Sequence, residues 1–345
     1  MSIRTRDTVR MRDIAADLNV SVVTVSKVLR NQGRISSAMR ERVLQRAKEL
    51  NYRPDLTARS LATGRTYLIG MIVPDLMHPF FAAIAKALAR NLRQKGYSLV
   101  ISSSDEDSSL ERQEIETLLG RRIDALVLAS SQSTTSNSIS QTLEAAHLPY
   151  LLLDRPIRGL KAPLVSSDNK VIGVMATEHL IERGYRRIAH IGVPHLSPGA
   201  GRLNGYQVAL KRHDLTPQPD RVITVDSADE RGEECGYDAM KQLLTRKPLP
   251  DAVFCYNDVI ASGAERAVLD AGMSIPKDVA LIGVSNLAGL SFWNTLQVPL
   301  STIDQNVPML AAEVTKQILG MQDSRAGAPR RKTFVPPQLV VRDST

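Results

Sequence analysis

From Tyr67 onward the chain alternates short apolar runs with amphipathic stretches of helical period, and that alternation leaves few folds open. Apolar runs at 67–73, 98–102, 125–129 and 150–154 form one series; runs at 187–191, 222–225, 252–255 and 279–284 form a second. Strands that alternate with helices pair in parallel through right-handed crossovers, which cover both faces of the sheet. Two similar series therefore predict two α/β lobes, each a doubly wound parallel sheet. One more strand is expected at 338–341, and 323–332 reads as a loose loop. Ligands of such sheets bind beyond the carboxyl ends of the strands, commonly between lobes.

The first fifth of the chain has a different texture. Met11, Ile14, Ala15 and Leu18 repeat at helical spacing, and Asn19-Val20 breaks that helix. Ser21 stands as N-cap of a second helix through Leu29. Ser36 or Ser37 caps a third, with Val43, Ala47 and Leu50 on its apolar face. Two helices around a tight turn, with Thr24, Ser26 and Lys27 interleaved on the second, make a helix-turn-helix able to reach phosphates and bases. Pro54 then interrupts, and a short helix from Leu56 to Ala62 ends at Thr63-Gly64.

Charge sharpens this division. Residues 1–65 hold 14 Lys+Arg against 6 Asp+Glu, a surplus of eight that equals the formal +8 of the whole chain. The remaining residues balance, so a polyanion-binding head sits on a neutral body.

Several function classes are disfavoured. No Gly-x-Gly-x-x-Gly follows an early strand, and no Gly-x-Ser-x-Gly or Cys/His metal spacing occurs, so neither enzyme, cofactor nor metal is expected. His190 and His195 read as structural. Cys235 and Cys255 read as thiols in a reducing compartment, and with no membrane span or signal peptide in view the expected location is cytoplasmic.

The head segment "MRDIAADLNVSVVTVSKVLRNQGRISSAMRERVLQRAKELNYRPDLTARSLATGRT" resembles the DNA-binding head of the LacI/GalR family of bacterial regulators. The resemblance rests on Asp13-Ile14-Ala15, Val20-Ser21, Thr24-Val25-Ser26, Leu50-Asn51-Tyr52 and Pro54, and the α/β remainder is similar to the family's periplasmic-binding-protein-like effector domain. It implies a helix-turn-helix domain at 1–53, a hinge helix and linker at 54–65, and an effector and dimerisation domain at 66–345. Lobe 1 is expected at about 66–160 and 290–323, lobe 2 at about 161–289 and 330–342.

The resemblance implies that Val22, Val23 and Lys27 read bases, the valines by apolar contact with thymine methyls. Thr24, Ser26 and Ser36 fall at phosphate-anchoring positions, and Ser21, Arg30, Asn51, Tyr52 and Ala58 complete the DNA-contacting set. Leu61 matches a leucine that wedges into the minor groove. Paired heads imply a homodimer on a palindromic double-stranded operator, with the outer faces of 81–93 and 112–119 as the interface. No heptad tail suggests a coiled-coil tetramer.

Residues just past strand ends are the effector-site candidates: His78, Phe80, Phe81, Ser130, Asp154, Arg155, Asp168, Arg202, Asn257, Asp258, Ser285 and Gln305. "MHPFF", "LLDRP", "GAGRLNGY", "CYND" and "TIDQ" resemble the family's effector-contacting segments. Two positions depart from the pattern: His78 stands where the family has asparagine, and Ser285 where it has aspartate. Losing that carboxylate while keeping Arg155 and Arg202 makes the cleft more positive, and the expected effector is a sugar, with a sugar acid or sugar phosphate favoured. The sequence thus reads as a repressor under allosteric small-molecule control. The alternative is a regulator whose body answers chiefly to a protein co-repressor.

Overall fold

The structure, a computed structural model, describes every residue outside 1–8, 30–31, 54–59, 62, 133–140, 144, 227–230, 290–295 and 324–330. The chain divides into two compact units, Met1–Thr66 and Tyr67–Thr345.

The first unit packs α1 (Met11–Leu18), α2 (Val22–Leu29) and α3 (Ser37–Glu49) around Ile14, Ala15, Val25, Val28, Val43 and Ala47. The turn between α1 and α2 forms because Asn19 takes a left-handed backbone, φ 51°, at the end of α1. Ser21 then accepts the Thr24 N–H at 3.1 Å, satisfying one of the open donors of α2. Arg46 of α3 donates to Asp17 of α1 through Nε at 2.8 Å, tying the outer helices together.

The second unit contains two six-stranded sheets. The first has the order β11-β5-β4-β3-β1-β2, built from β1 (Leu68–Val73), β2 (Ser98–Ser103), β3 (Ala125–Leu128), β4 (Tyr150–Leu153), β5 (Leu164–Ser167) and β11 (Lys332–Val335). The second has the order β12-β10-β9-β8-β6-β7, built from β6 (Ile188–Gly192), β7 (Val222–Thr224), β8 (Ala252–Cys255), β9 (Ala280–Val284), β10 (Ser301–Asp304) and β12 (Gln338–Val340). Every pairing is parallel except β10 with β12.

Alternation within strands separates two cores per sheet. In β1, Ile69, Met71 and Val73 face α4 (Pro79–Gln94) and α10 (Val307–Asp323), while Ile72 faces α5 (Ser108–Gly120). In the second sheet Ala189 and Ile191 face α8 (Gly232–Leu244) and α9 (Asp258–Asp270). Ile188 faces α6 (Asn169–Glu182) and α7 (Ser197–Arg212) on the other side.

Three strands escape the sequence reading, and the lobe boundaries shift with them. β5 belongs to the first sheet, so lobe 1 runs past 160; β10 belongs to the second sheet, although 290–323 was expected wholly in lobe 1. β11 occupies the first sheet, where a loop ending at Lys332 and a return to lobe 2 were expected. The physical reason is polar content. Ser166, Ser301 and Thr302 are buried without an apolar signature because each hydroxyl is bonded: Ser166 to the Asp154 carbonyl at 2.9 Å, Ser301 to the Arg342 carbonyl at 3.1 Å, and Thr302 to Asp258 at 2.7 Å. The chain consequently passes between the sheets three times, after β5, β10 and β11.

Helix pairs in the second lobe approach closely through glycine. A Cβ on Gly205 of α7 would collide with the Lys170 carbonyl of α6, and one on Gly263 of α9 with the Glu233 carbonyl of α8. The first contact brings Arg202 beside Asn169. The collision at position 263 is with backbone, which cannot move aside. Gly263→Ala should therefore destabilise the body by about 3 kcal/mol in urea melts. Gly320→Ala on α10, where an added Cβ meets nothing within 4 Å, should instead stabilise by roughly 0.5–1 kcal/mol.

Candidate functional site

On the head, Val25 and Val28 face the core of the three-helix unit, which turns Val22 and Val23 outward at 43% and 62% exposure. Two exposed valines in the first turn of a helix carry an unfavourable hydration cost that an apolar contact relieves. Thr24 is half-buried and its hydroxyl pairs with that of Ser21 at 2.9 Å; Ser26 is half-buried on the same helix. Lys27 is exposed, with its aliphatic stem alongside Gly33. Ser36 caps α3, accepting from the Met39 N–H at 3.4 Å.

Asn51 ends α3 with φ 49°, and Tyr52 packs half-buried against the head core. Ser60, Leu61 and Thr63 are helical, the Gly64 N–H closes on the Ser60 carbonyl at 2.8 Å, and Leu61 stands 76% exposed. Arg30, Ala58 and most of the expected hinge helix lie outside the described residues.

In the body, the carboxyl ends of the strands bring together His78, Phe80, Phe81, Asp154, Arg155, Arg202, Asn257, Ser285 and Gln305, all expected from sequence. They surround a cavity of about 20 Å³, the space of about one water molecule. His78 caps α4 from the first lobe, Asn257 caps α9 from the second, and their side chains meet at 3.1 Å between Asn257 Nδ2 and His78 Nε2. Asp154 turns inward because it leaves β4 with φ 61°. Gln305 follows β10, where the chain crosses between sheets; its Oε1 accepts from Ser285 at 3.1 Å, and its carbonyl accepts from Ser167 at 3.3 Å.

The two arginines are held differently. Arg155 reaches outward to Glu106, NH1 to Oε2 at 2.9 Å, and lies 5.7 Å from the Phe81 ring centroid. Arg202, 3% exposed, lies over the Tyr256 ring at 4.4 Å; it donates to the Tyr256 carbonyl at 2.6 Å and to Asn169 Oδ1 at 3.0 Å. Burial lowers His78 to about 3, with the positive Arg155 and Arg202 adding to the effect. Burial raises the Asp154 carboxyl, against the pull of the same two arginines.

Three expected effector residues do not join the cleft. Ser130 donates to Glu111 at 2.8 Å, in a knot where that buried carboxylate also accepts from Ser131 and Gln132. Asp168 caps α6, accepting from Lys170 and Val171 at 3.1 Å. Asp258 accepts from the Leu287 N–H at 2.8 Å and from Thr302, and burial raises it to about 6. Each is thus engaged elsewhere: Ser130 by the Glu111 carboxylate, Asp168 by the first turn of α6, and Asp258 by Leu287 and Thr302.

Sequence reasoning missed Tyr256, Asn169 and Glu106, which respectively support Arg202 and pair Arg155. Tyr256 was adjacent to a chosen motif residue. Asn169 likewise followed the chosen Asp168, whereas Glu106 carries no local signal, since only the fold brings it near Arg155.

Residues 10–55 match the model for bacterial regulatory proteins of the lacI family, and 66–328 match periplasmic binding proteins and the sugar binding domain of the LacI family. The chain is 33% identical over 336 residues, 97% of its length and 96% of the other, to the ribose operon repressor of Halalkalibacterium halodurans. It is 30% identical over 335 residues, 97% and 98% of the two lengths, to the transcriptional repressor PurR of Histophilus somni. Among solved structures it resembles the lac repressor dimer bound to operator and an anti-inducer, at TM-score 0.80 and 25% identity over 98% of this chain and 99% of that one. It also resembles a complex of the regulator CelR with cellobiose, at TM-score 0.72 and 27% identity over 98% and 100%. No helix among the described residues is long and apolar enough to cross a membrane. With its head and body each matched by a model of that family and relatives 30% or more identical along nearly its whole length, the chain belongs to the LacI family of bacterial regulatory proteins.

Proposed function

We propose that the protein is a dimeric repressor that grips a palindromic operator through its paired heads and changes grip when a small polar effector, a sugar or sugar derivative, enters the interlobe cleft. The observation that carries this reading is the convergence of both lobes on one polar cleft, bridged by the His78–Asn257 bond. An effector that replaces or supports this bridge alters lobe closure. Closure in turn sets the spacing of the hinge segments, which are too short to be stable helices alone. Such coupling is typically worth ~1–3 kcal/mol in operator affinity.

In the head, Val22 and Val23 supply apolar base contact, Ser21, Thr24, Ser26, Lys27, Arg30, Ser36, Asn51, Tyr52 and Ala58 serve the DNA backbone and bases, and Leu61 serves as the minor-groove wedge. Its 76% exposure suits that task better than packing within the head. The dimer is assigned to the outer face of α4. There a groove of about 650 Å³, with Lys86, Arg90 and Arg93 along one side and Asp304 and Leu287 on the other, offers charge and apolar surface together.

The His78 bridge also fixes a pH sign. His78 titrates from 6.5 when open to water but is lowered to about 3 when enclosed, so the enclosed state excludes a proton that the open or unfolded state takes up below pH 6.5. Its contribution to the closed fold is therefore lost as pH falls from about 6.5 toward 3. Between pH 7 and 5.5 the urea-derived stability should fall by about 1 kcal/mol more in the wild type than in His78→Asn. The buried His190 is common to both proteins, so equal slopes would remove His78 as the titrating bridge.

Operator affinity, read by fluorescence anisotropy on a palindrome selected from random DNA, should weaken about tenfold or more in Leu61→Ala with the body's melting unchanged. Unaltered affinity would rule out the wedge. The same titration with and without pentoses, hexoses and their acids tests the regulatory reading directly. A several-fold shift supports it, and specific operator binding that no such compound moves counts against it.

A further inference from the structure

Arg202 is a buried cation that makes no hydrogen bond or ion pair to a carboxylate among the described residues, although the Asp154 carboxyl in the same cleft feels its charge. Its guanidinium is 3% exposed, and its two hydrogen bonds go to neutral acceptors, the Tyr256 carbonyl and the Asn169 amide. Among the described residues no ion pair engages it. A cation held this deep destabilises its surroundings unless an anion or strong acceptor completes the site.

Beside it lies a second unfinished group. Gln305 is 1% exposed; its Oε1 is taken by Ser285, and its Nε2, a double donor, has no hydrogen-bond partner. On the opposite wall the Asp154 Oδ1 is buried and equally unpartnered, an acceptor facing the same cleft. The lining thus offers a cationic donor and an amide donor together with one carboxyl acceptor. Phe80 and Phe81 supply an apolar wall, ring centroids 5.3 Å apart.

We infer that the effector is a small polyhydroxy carboxylate, a sugar acid, whose carboxylate is received by Arg202 and Gln305 Nε2 while a hydroxyl donates to Asp154 Oδ1. This rests on the cleft being the effector site, as proposed above. The groups match in number and sign: a carboxylate accepts from both donors, and its charge compensates the buried guanidinium. A neutral sugar would satisfy hydrogen bonds but leave the guanidinium only the Asp154 carboxyl, whose charged form burial disfavours. A phosphoryl group asks for more donors, commonly main-chain N–H groups at a helix start. Here the helix starts that border the cleft are occupied, α4 by His78 accepting from Phe80 and α9 by Asn257 accepting from Ile260. The site is therefore built for a planar monoanion.

Calorimetry on the full-length protein with matched pairs tests this: D-ribose with D-ribonate, D-glucose with D-gluconate, D-galactose with D-galacturonate, and D-ribose 5-phosphate as the phosphoryl arm. At least one acid should bind about tenfold or more tightly than its neutral counterpart, with affinity falling as salt rises. Arg202→Gln should lose about tenfold or more of that affinity. Gln305→Glu, isosteric and placed away from the Arg202 helix, should lose at least as much toward the acid while retaining the neutral sugar. Neutral sugars binding as tightly as acids, no heat from any acid, preference for the phosphate, or acid binding unchanged in Gln305→Glu would each overturn the assignment. Operator anisotropy in the same samples separates the two readings. Acid binding that leaves operator affinity unmoved sinks the allosteric proposal but not the carboxylate site; an operator shift driven only by neutral sugars does the reverse.

Discussion

Parallel strands impose the constraint on which the rest of this body depends. A parallel sheet cannot be closed by hairpins; each strand needs a crossover, and the crossovers bury both faces. Helices and strands therefore use up the apolar residues, and polar residues are left at the strand ends. Two such sheets are joined by three passages of the chain, after β5, β10 and β11. The first two of those passages touch through the Ser167 hydroxyl and the Gln305 carbonyl, right at the cleft. The polar cleft and the joint between lobes are thus one region.

Within that region the electrostatics are settled by what each group is already bonded to. Asp258 and Asp168 are carboxylates close to strand ends, yet backbone N–H groups at Leu287, Lys170 and Val171 consume them. Asp154 keeps an oxygen turned to the cleft because its left-handed backbone swings it off the strand. Arg155 is balanced by Glu106, whereas Arg202 rests on an aromatic face and neutral oxygens. His78 is kept neutral by burial and by these two cations, and it meets Asn257 across the lobes. A change of a few kcal/mol in these contacts is comparable to the usual coupling between effector and operator sites.

The head follows a different economy. It is small, and six buried core side chains among its described residues leave little margin, so capping and the Arg46–Asp17 ion pair matter in proportion. That small core also dictates what is exposed: once Val25 and Val28 turn inward, helical geometry leaves Val22 and Val23 no place but the surface.

Periodicity in the chain determined the helix-turn-helix, the two-lobed α/β body and the basic head, because these depend on residue spacing and local charge. It also marked nine of the residues lining the cleft, since motifs at strand ends can be read in one dimension. Tertiary structure alone decided the rest. β5 and β10 carry buried hydroxyls bonded to other segments, and β11 begins with exposed Lys332 and half-buried Thr333, so these sequences lack an apolar signature. Ser130, Asp168 and Asp258 follow strand ends yet bond away from the cleft lining, and Asn169 and Glu106 look like surface residues until the arginines are placed beside them. Spacing along a chain tells which residues share a helix or strand face; which hydrogen bond a polar group has already made depends on neighbours that only the folded chain supplies.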